Sequence, residues 1–513
     1  MANNVYTVAF NGIEAIEVDV QIHISPGIPN FLIVGLADKT IAESKERVRT
    51  AISAIGISLP PKKIVVNLSP ADLVKEGSHF DLAIACAILS SYEILPSNEI
   101  NSYIILGELG LDGAILPVNG VLPASISANS LGKGIICPAS NGQESAWSGN
   151  KDIIAASHLL NLVNHFKGTQ FISSPTTEVL YEDTANIYPD LADVRGQKIP
   201  KRALEIAAIG GHNLLMLGPP GSGKSMIAQC MPGILTSMTH QEILECSIIA
   251  SVAGLIRNGN LIKQRPFRAP HHSCSMAAMV GGGIGRKLRP GEISLAHNGI
   301  LFLDELAEFS SLVLESLRQP IETGEILISR SGCHVKYPAN FQLIAAMNPC
   351  KCGYISEPSK ACSRAPNCSK DYLMKISGPL MDRFDMQIEV PFFFNGFNRQ
   401  EQEEKSSNIL LRTKKAQEFQ MERYKKDDIT RNKHLNGELL LKYAMPKEAD
   451  AQNLLEKAME KFKLSMRSYN KILRLARSIA DLEQMDEIKK CHIAEALSYR
   501  YTDKLISCNK NII

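Results

Sequence analysis

The sequence predicts an α/β protein of several domains, organised around a parallel sheet that carries a phosphate-binding loop. One observation is the segment 218–225, which matches the pattern G-x-x-x-x-G-K-[ST] and follows a short apolar run at 213–217. Another is the apolar run at 299–303, typical of a buried strand, which ends on two carboxylates. The chain has 513 residues, enough for about two to four domains with buried cores.

The phosphate-binding loop is predicted from its sequence motif and from the strand and helix expected on either side of it. A strand, a glycine-rich turn and a helix point backbone N–H groups and a helix N-terminus at a polyphosphate. Lys224 would reach the outer phosphates, and Ser225 would place its hydroxyl on Mg²⁺. A plain glycine turn between two core elements is the alternative. The residues predicted to hold the nucleotide are Gly218, Pro219, Pro220, Gly221, Ser222, Gly223, Lys224 and Ser225.

Polar residues at the ends of two apolar runs supply the rest of a hydrolysis site. Asp304 and Glu305 follow the run at 299–303, where Asp304 would hold the metal ion and Glu305 would orient and deprotonate the attacking water. Asn348 follows the run at 341–347 and is suited to sensing the terminal phosphate. These residues predict a core that hydrolyses a nucleotide, with ATP and Mg²⁺ as the expected ligands.

Composition places the chain among ordinary globular proteins, with 45% apolar and 21% charged residues. The formal net charge is only +2, so any contact with nucleic acid must come from local basic patches. No run of eighteen apolar residues is present to span a membrane, and the first basic residue is Lys39, unlike the basic start of a leader. Because twelve cysteines without an export signal indicate reduced thiols or metal ligands, we expect a cytoplasmic protein.

The pattern along the chain predicts three domains and a linker. Residues 1–170 alternate short strands with helices and carry no metal cluster or Ser/His/Asp set of recognisable spacing. Residues 171–188, with Ser, Thr and Pro, read as a linker. Residues 189–395 form the nucleotide core, and residues 396–513 are charge-rich and helical. In the first domain, strands are predicted at 15–23, 31–34, 64–68, 103–106 and 135–137, and helices at 40–55 and 80–89.

A long insert between the phosphate loop and the acidic strand carries candidate DNA contacts. Glycine-rich segments with interleaved basic residues make loops that could track a phosphodiester backbone. A solvated structural loop, or a metal site at the paired histidines, is the alternative. The candidate residues are Arg268, His271, His272, Arg286 and Lys287.

A β-hairpin is predicted at 326–337, around the turn Ser331-Gly332. It stands directly before the strand that ends at Asn348. Arg330 and Lys336 would flank its tip and could contact a nucleic-acid substrate. A plain edge hairpin with solvated charges is the equally weighted alternative.

Four cysteines lie within the segment 350–368. The segment is polar and contains proline, so it has few other residues that could hold it in a fixed structure. Four thiolates suit a closed tetrahedral Zn²⁺ site with a structural role. The spacing departs from paired C-x₂-C knuckles, so free thiols and an iron–sulfur cluster stay open as alternatives. The predicted ligands are Cys350, Cys352, Cys362 and Cys368.

Two arginines after these elements are candidates for contact with the nucleotide. Arg383, near the end of the core, could reach the nucleotide of a neighbouring subunit as an arginine finger, or could pair locally with Asp382. Arg467 shares a basic helical face with Lys471 and Arg474, and could insert toward the γ-phosphate from a small helical lid. A solvated basic face is the alternative for Arg467.

With these residues considered, the chain resembles the YifB/ComM family of magnesium-chelatase-like AAA+ ATPases over nearly its whole length. The resemblance rests on the phosphate loop and on several short motifs in the family's order. These motifs are IVGLAD at 33–38, KEGS at 75–78, GEL at 107–109, GGHN at 210–213, FRAPHHS at 267–273, LFLDE at 301–305, NPC at 348–350 and SMR at 465–467.

The resemblance implies a ring-forming ATPase, hexameric, with ATP bound between subunits. On that basis Arg383 is the neighbour's arginine finger and Arg467 the second sensor. The segment near His271 and the hairpin at 331–332 are pore elements that grip DNA. The four cysteines resemble the family's zinc-binding insertion, although Lys351 stands where the family usually has proline. The residues implied to act within one subunit are Lys224, Ser225, Asp304, Glu305 and Asn348.

The N-terminal domain is similar to the Lon peptidase fold, but the residues needed for proteolysis are replaced. His79 aligns with the nucleophilic serine, and the position of the general-base lysine falls near Leu122. Neither residue supports acyl transfer by a Ser-Lys route, so we expect this domain to be proteolytically inactive.

The resemblance implies a helicase that drives branch migration while incoming single strands are integrated by homologous recombination during natural transformation. Its expected partners are single-stranded and branched DNA, further copies of itself and recombination proteins, with no membrane. The alternative function is that of a protein-remodelling ATPase, which acts on a partner enzyme as in magnesium chelatase. An ATP-dependent Lon-like protease is the least favoured reading, because of His79 and Leu122.

Overall fold

The computed structural model describes residues 4–35, 38–176, 188–283, 288–330, 333–353, 362–364, 367–392, 403–427 and 429–500. Within these ranges the chain forms a seven-stranded sheet near its N-terminus, a five-stranded sheet in its centre and a group of helices near its C-terminus. The predicted α/β class, with a central parallel sheet and a helical C-terminal region, is confirmed.

The N-terminal sheet is mixed and has the order β3-β4-β2-β1-β5-β8-β9, with β6 and β7 paired in a separate small ribbon. Its strands are β1 Asn4–Asn11, β2 Glu14–Ser25, β3 Asn30–Val34, β4 Lys63–Ser69, β5 Tyr103–Ile105, β6 Glu108–Leu109, β7 Ile115–Leu116, β8 Gly134–Pro138 and β9 Ile153–Ala156. The helices are α1 Lys39–Ala54, α2 Asp81–Ser91, α3 Ser97–Ile100, α4 Val121–Ser130, α5 Gly142–Ala146 and α6 Leu159–Phe166.

Helix α2 forms the centre of this domain because it is apolar on all sides, and such a helix must be buried all round. Its residues Leu82, Ile84, Ile88 and Leu89 are all fully buried. The predicted strands and helices of this domain are confirmed, with ends that differ by a few residues. The prediction gave no range for β1, β6, β7 and β9 or for the helices α3 to α6. Strand β1 pairs with β2 through a hairpin whose register joins Asn11 to Glu14.

The central sheet is parallel throughout and has the order β11-β14-β17-β10-β18. The strands of this region are β10 Leu214–Leu217, β11 Phe267–Arg268, β12 Gly281–Gly282, β13 Arg289–Pro290, β14 Ile300–Leu303, β15 Glu325–Arg330, β16 Cys333–Pro338, β17 Gln342–Met347 and β18 Met386–Glu389. The helices are α7 Lys198–Gly210, α8 Lys224–Gln229, α9 His240–Ala253, α10 Met276–Val280, α11 Glu292–Leu295, α12 Ser311–Ser316, α13 Arg318–Thr323, α14 Asn367–Leu373 and α15 Gly378–Met381.

Strands β10, β14 and β17 are buried at every residue. Continuous apolar runs of this kind are typical of parallel strands that are covered on both faces. Since all five strands run the same way, the segments that follow β10, β14 and β17 meet at one edge of the sheet. This topology brings the phosphate loop, the two carboxylates and Asn348 together.

The predicted hairpin is confirmed: β15 and β16 are antiparallel, with Glu325 opposite Pro338 and Arg330 opposite Cys333. Ile326, Ile328, Val335 and Tyr337 point into a core cluster, whereas Leu327 is half exposed. The turn at 331–332 lies outside the described residues. The hairpin is therefore fixed to the core along one face and is open on the other.

The C-terminal helices pack on the central sheet through one shared core. They are α16 Ser406–Arg423, α17 Gly437–Ala444, α18 Ala449–Phe462, α19 Met466–Leu482 and α20 Lys490–Ser498. Ile472, Ala476 and Ile479 of α19 belong to the same buried cluster as Leu214 of β10. Among the residues that the structure describes, no helix combines the length and the apolar composition needed to cross a membrane.

Among the described residues, the N-terminal domain contacts the central domain through Ile13, Glu144 and Trp147. Ile13, in the turn between β1 and β2, packs against the core cluster that contains Val335 of the hairpin. Glu144 of α5 accepts a 2.5 Å hydrogen bond from the Ser251 hydroxyl of α9. The Trp147 indole donates to the Gly259 carbonyl over 3.2 Å. The contact of Ile13 reaches the hairpin β15–β16, which was predicted to contact nucleic acid.

Candidate nucleotide-hydrolysis site

The phosphate loop joins β10 to α8 through a tight turn that needs glycine. Gly221 and Gly223 have φ angles of 75° and 87°, in the left-handed region where glycine is strongly favoured. A Cβ atom on Gly218 would lie 2.2 Å from the Val390 carbonyl oxygen, so no side chain fits there. Helix α8 then begins at Lys224.

Lys224 is buried and connects the loop to the end of β17. Its Nζ atom donates to the carbonyl oxygens of Gly218 and Pro219, each over 2.8 Å, and lies 3.3 Å from the Asn348 Oδ1 atom. Burial lowers the pKa of Lys224, and the charges of Asp304 and Glu305 oppose that shift. The ammonium group and the strand-end amide are thus neighbours, as the sequence predicts.

Ser225 and Asp304 lie together at the same edge of the sheet. The Ser225 hydroxyl donates to the Asp304 Oδ2 atom over 2.6 Å, and the Asp304 Oδ1 atom accepts from the Glu305 N–H over 2.9 Å. A hydroxyl and a carboxylate are hard oxygen ligands, which suit Mg²⁺ when substrate phosphates and water supply the remaining positions. This donor set fits the expected metal ion.

Glu305 follows β14 in a left-handed conformation, with φ of 51° and ψ of 47°. Its side chain is 54% exposed, so the carboxylate is accessible to water. The Glu305 Oε2 atom lies 3.3 Å from Nδ1 of His272, a residue predicted only as a DNA contact. Sequence reasoning missed this pair, because the contact depends on the register of β11 against β14.

Arg383 and Arg467 lie in a different part of the molecule from the phosphate loop. The Nη2 atoms of both arginines bind the same Glu322 Oε1 atom, Arg383 over 2.8 Å and Arg467 over 3.0 Å. They line a cleft of about 830 Å³ together with Asn213 and Phe341, which precede β10 and β17. The cleft therefore lies at the sheet edge opposite the phosphate loop.

Arg467 lies away from the phosphate loop of its own chain, and its insertion toward a γ-phosphate stays a prediction. Helix α19 begins beside α13, and the Nζ atom of Lys471 donates to the Phe384 carbonyl over 3.0 Å. This bond holds the start of α19 near the residues that precede β18, at the edge away from the phosphate loop. Glu322, which binds both arginines, was not identified from the sequence, where nothing distinguishes it from other surface glutamates.

Three of the four cysteines predicted as zinc ligands form a cluster close to the phosphate loop. Ligand atoms of Cys350, Cys352 and Cys368 all lie within 4.8 Å of one another. Burial and a hydrogen bond with Cys362 raise the pKa of the Cys368 thiol to about 12. Three of the four predicted ligands thus form one cluster, and Cys362 is connected to it through Cys368. Thiolates in such a group are ligands that suit Zn²⁺.

The cysteine cluster and the phosphate loop are in contact through Gly353. A Cβ atom on Gly353 would lie 2.5 Å from the Cδ atom of Pro220, and the Gly353 φ angle of 83° is left-handed. The Ser369 hydroxyl also donates to the Pro349 carbonyl over 2.7 Å, next to Asn348. The cluster therefore borders the residues expected to contact phosphate.

The side chains predicted to contact DNA differ in their partners within the chain. Arg268 forms two bonds to the Glu292 carboxylate, of 2.6 and 2.7 Å, so its charge is neutralised within the chain. Lys336 was predicted to flank the tip, but it lies opposite Leu327, along the strand, because the turn falls at 331–332. It pairs with Glu325 over 2.6 Å on the exposed face of the hairpin. His271 is exposed, and its Nδ1 atom lies 2.8 Å from the Ser273 hydroxyl.

The remaining predicted DNA contacts are not all described. Arg286 and Lys287 lie outside the described residues, and so does the side chain of Arg330.

The two positions that align with peptidase residues are both buried. The His79 Nε2 atom lies 2.9 Å from the Val8 carbonyl oxygen, and Leu122 is fully buried in α4. The buried Lys75 ammonium donates to the Pro70 carbonyl, and burial lowers the pKa of this lysine. These contacts give His79 and Lys75 structural partners in the domain core.

The parallel sheet, the phosphate loop, the carboxylate pair and the helical C-terminal region define a AAA+ P-loop protein of the magnesium chelatase type. Family models agree with this class. The model described as "Magnesium chelatase, subunit ChlI" matches residues 190–395, "Subunit ChlI of Mg-chelatase" matches 20–141, and "Magnesium chelatase, subunit ChlI C-terminal" matches 403–500.

Curated relatives extend the similarity over the whole chain. It is 42% identical to competence protein ComM of Haemophilus influenzae, over 99% of both chains. It is also 42% identical to the YifB protein of Salmonella typhimurium, over 98% of this chain and 97% of the relative. The magnesium-chelatase 38 kDa subunit of Rhodobacter capsulatus is 26% identical over 32% of this chain and 51% of its own length. The chain belongs to the ComM/YifB family of magnesium-chelatase-like AAA+ proteins.

Proposed function

We propose that this protein is an ATP-dependent DNA helicase that promotes branch migration while incoming DNA is integrated by homologous recombination during natural transformation. The observation that carries the proposal is the division of the hydrolysis residues between two edges of one sheet. Ser225, Asp304 and Glu305 lie at one edge, whereas Arg383 and Arg467 share Glu322 at the other. Near-full-length similarity to a competence protein supports the biological process.

Each residue at the phosphate-loop edge has a role in hydrolysis. Lys224 would bind the outer phosphates, which requires its ammonium to exchange the loop carbonyls for phosphate oxygens. Ser225 and Asp304 would hold Mg²⁺, which when bound neutralises charge on the β- and γ-phosphates. Glu305 would accept a proton from the attacking water, and Asn348 would contact the terminal phosphate.

The arginines at the opposite edge would complete the site of a neighbouring subunit. An arginine finger stabilises the charge of the transition state and can act in trans. Because one surface of each subunit would meet a different surface of the next, repetition of this contact closes a ring if the rotation allows it. We propose a hexamer in which Arg383 and Arg467 both approach the nucleotide bound to the neighbour.

The hairpin β15–β16 and the insert after β11 would contact DNA. Lys336 and His271 are exposed on these segments, and the proposed contacts also include Arg286, Lys287 and Arg330. Neutralisation of backbone phosphates by such residues makes DNA affinity fall as salt rises. The four cysteines would hold a structural Zn²⁺ ion beside the phosphate loop.

The proposal is tested by ATPase rates measured with no DNA, linear duplex, single strands and a four-way junction. We expect stimulation by single-stranded and branched DNA, together with binding that weakens as salt is raised. Glu305→Gln is the control that attributes the activity to this site. The DNA assignment fails if no polynucleotide changes the rate and no salt-sensitive binding occurs.

A protein-remodelling ATPase is a second candidate function, and the three magnesium-chelatase family matches favour it. In that case the ATPase rate responds to a partner protein and is indifferent to DNA. A Lon-like protease is disfavoured, since His79 and Leu122 occupy the positions of the nucleophile and the base.

A further inference from the structure

The turn that joins β1 to β2 in the N-terminal domain lies against the hairpin β15–β16 of the central domain. A Cβ atom on Gly12 would lie 2.7 Å from the Cγ1 atom of Val335 and 3.1 Å from the Lys336 carbonyl oxygen, so the turn and β16 are in close contact. Ile13, the next residue, packs against the core cluster that contains Val335 and Tyr337. The N-terminal domain therefore supplies part of the apolar support of the hairpin.

The ribbon β12–β13 of the insert packs on the same hairpin. A Cβ atom on Gly281 of β12 would lie 2.6 Å from the Cδ1 atom of Ile328, a buried side chain of β15. The Tyr337 hydroxyl of β16 donates to the Leu288 carbonyl over 2.9 Å, directly before β13. The hairpin and the ribbon are thus in contact through both strands of each.

The hairpin and the ribbon both belong to segments with predicted DNA contacts. The hairpin includes Arg330 and Lys336, and the sequence between β12 and β13 includes Arg286 and Lys287. Lys336 is exposed, whereas Val335, its neighbour in sequence, is buried. Because side chains alternate along a strand, the packing of the buried face determines where the exposed face lies. A shift of that packing would move the side chains proposed to contact DNA.

The N-terminal domain is fixed to the central domain beside this contact. The Gly120 N–H group donates to the Ser251 carbonyl over 3.1 Å, and Glu144 accepts from the Ser251 hydroxyl, near the end of α9. A cavity of about 420 Å³ lies between the two domains, with Asn11 of the turn and His334 of β16 in its lining. This cavity gives β16 room to move if its contact with the turn is weakened.

We propose that the turn centred on Ile13 is a positioning element, which holds the hairpin where its contact with DNA can stimulate ATP hydrolysis. Ile13 would act through β16, since Gly12 beside it lies against that strand. This role gives the N-terminal domain a part in the motor that needs no peptidase residue. The inference rests on the proposed DNA-stimulated hydrolysis, because the hairpin is one of the proposed DNA contacts.

The test compares Ile13→Ala and Ile13→Val with the wild-type protein, with and without saturating single-stranded DNA. Alanine removes most of the apolar contact, so the ratio of DNA-stimulated to DNA-free kcat should fall to about 1. The DNA-free kcat and the KM for ATP should stay as in the wild type, because the nucleotide site is not altered. Valine keeps the branched shape of the side chain, so Ile13→Val should retain most of the stimulation.

Hydrogen exchange of the hairpin amides measures the support of the hairpin without DNA. A segment opens more readily when fewer buried apolar contacts hold it. Amides of β15 and β16 should therefore exchange faster in Ile13→Ala than in the wild type, while those of β10 and β17 keep their rates. Ile28→Ala is the matched control, because Ile28 of the same domain is 87% exposed. It should change neither the exchange nor the stimulation.

Two kinetic results would overturn the inference. One is normal DNA stimulation in Ile13→Ala. The other is an equal loss of the DNA-free and the stimulated rates, which would make Ile13 a general support of the fold. If no polynucleotide stimulates the wild type, the proposed function fails, and hydrogen exchange then decides the positioning role alone. Unchanged exchange of β15 and β16 in Ile13→Ala would contradict that role.

Discussion

The Ser225 hydroxyl donates a 2.6 Å hydrogen bond to the Asp304 carboxylate, although 79 residues separate the two in sequence. The pair exists because β10 and β14 both flank β17 and run in the same direction. Two expected ligands of Mg²⁺ are therefore already adjacent in the folded chain. Binding of the metal at this pair would require exchange of the hydrogen bond between them rather than assembly of a site.

Lys224 and Glu305 should have separable effects on binding and on hydrolysis. Lys224→Ala removes the ammonium expected to bind the outer phosphates, so ATP binding should be lost. Glu305→Gln keeps the shape of the side chain but removes the base, so binding should persist while kcat falls about 10²–10⁴-fold. Equilibrium binding of a fluorescent ATP analogue and steady-state ATPase rates measure the two effects. A normal rate for Glu305→Gln would exclude it as the base.

Arg383 should act on the nucleotide of a neighbouring subunit. Arg383→Ala should lower kcat about 10³-fold and leave ATP binding intact, since arginine fingers stabilise the transition state. In mixed assemblies with Lys224→Ala, whose arginine is intact, activity should return at interfaces that combine an intact phosphate loop with an intact finger. Arg49→Ala, at an exposed position of α1, is the matched control. Absence of rescue in stable mixed assemblies would contradict action in trans.

The cysteine cluster should contain about one zinc ion per chain, as expected for a four-ligand structural site. Cys362→Ser should lower the zinc content and the thermal stability, because one ligand of a closed site is lost. Cys491→Ser, which changes an exposed cysteine of α20, should keep full zinc. Metal analysis of purified protein measures both variants. Full zinc in Cys362→Ser would contradict the assignment of this ligand.

His212 should make stability depend on pH below neutrality. Burial lowers the pKa of His212 to about 4 from the usual 6.5, and its Nε2 atom lies 2.7 Å from the Ser478 hydroxyl. The unfolded chain binds a proton below pH 6.5 and the folded chain does not, so stability falls as pH drops from about 6.5 to about 4. The loss amounts to about 3 kcal/mol across that window.

The measurement for His212 is urea denaturation at several pH values, for the wild type and for His212→Gln. The glutamine variant cannot gain this proton, so its free energy of unfolding should change less between pH 6.5 and pH 4. Identical slopes for the two proteins would show that His212 does not contribute.

The sequence predicted the elements whose signal is local. The phosphate loop, the strand that ends on Asp304 and the hairpin β15–β16 each have a pattern that determines them without distant contacts. Parallel strands then place Asp304 and Asn348 beside the loop as a matter of topology. For this reason the residues predicted to act within one subunit lie together at one edge of the sheet.

The parts that were not predicted depend on tertiary register. The contact of His272 with Glu305 requires β11 to pair beside β14 at one particular alignment. Likewise, Arg467 meets Glu322 because α19 is anchored at Lys471, and no spacing in the sequence reveals that anchor. Strand β1 was omitted, although the pair Asn11-Gly12 is a sequence signal for a hairpin turn. Gly12 has a left-handed φ of 68° in that turn.

The most direct test of the account is ATP-dependent branch migration of a labelled four-way junction by the assembled protein. We expect the wild type to convert the junction into products with ATP, and Glu305→Gln to bind the junction without converting it. Wild-type protein that hydrolyses ATP but leaves the junction unchanged, or equal conversion by Glu305→Gln, would contradict the claim that hydrolysis at this site drives movement along DNA.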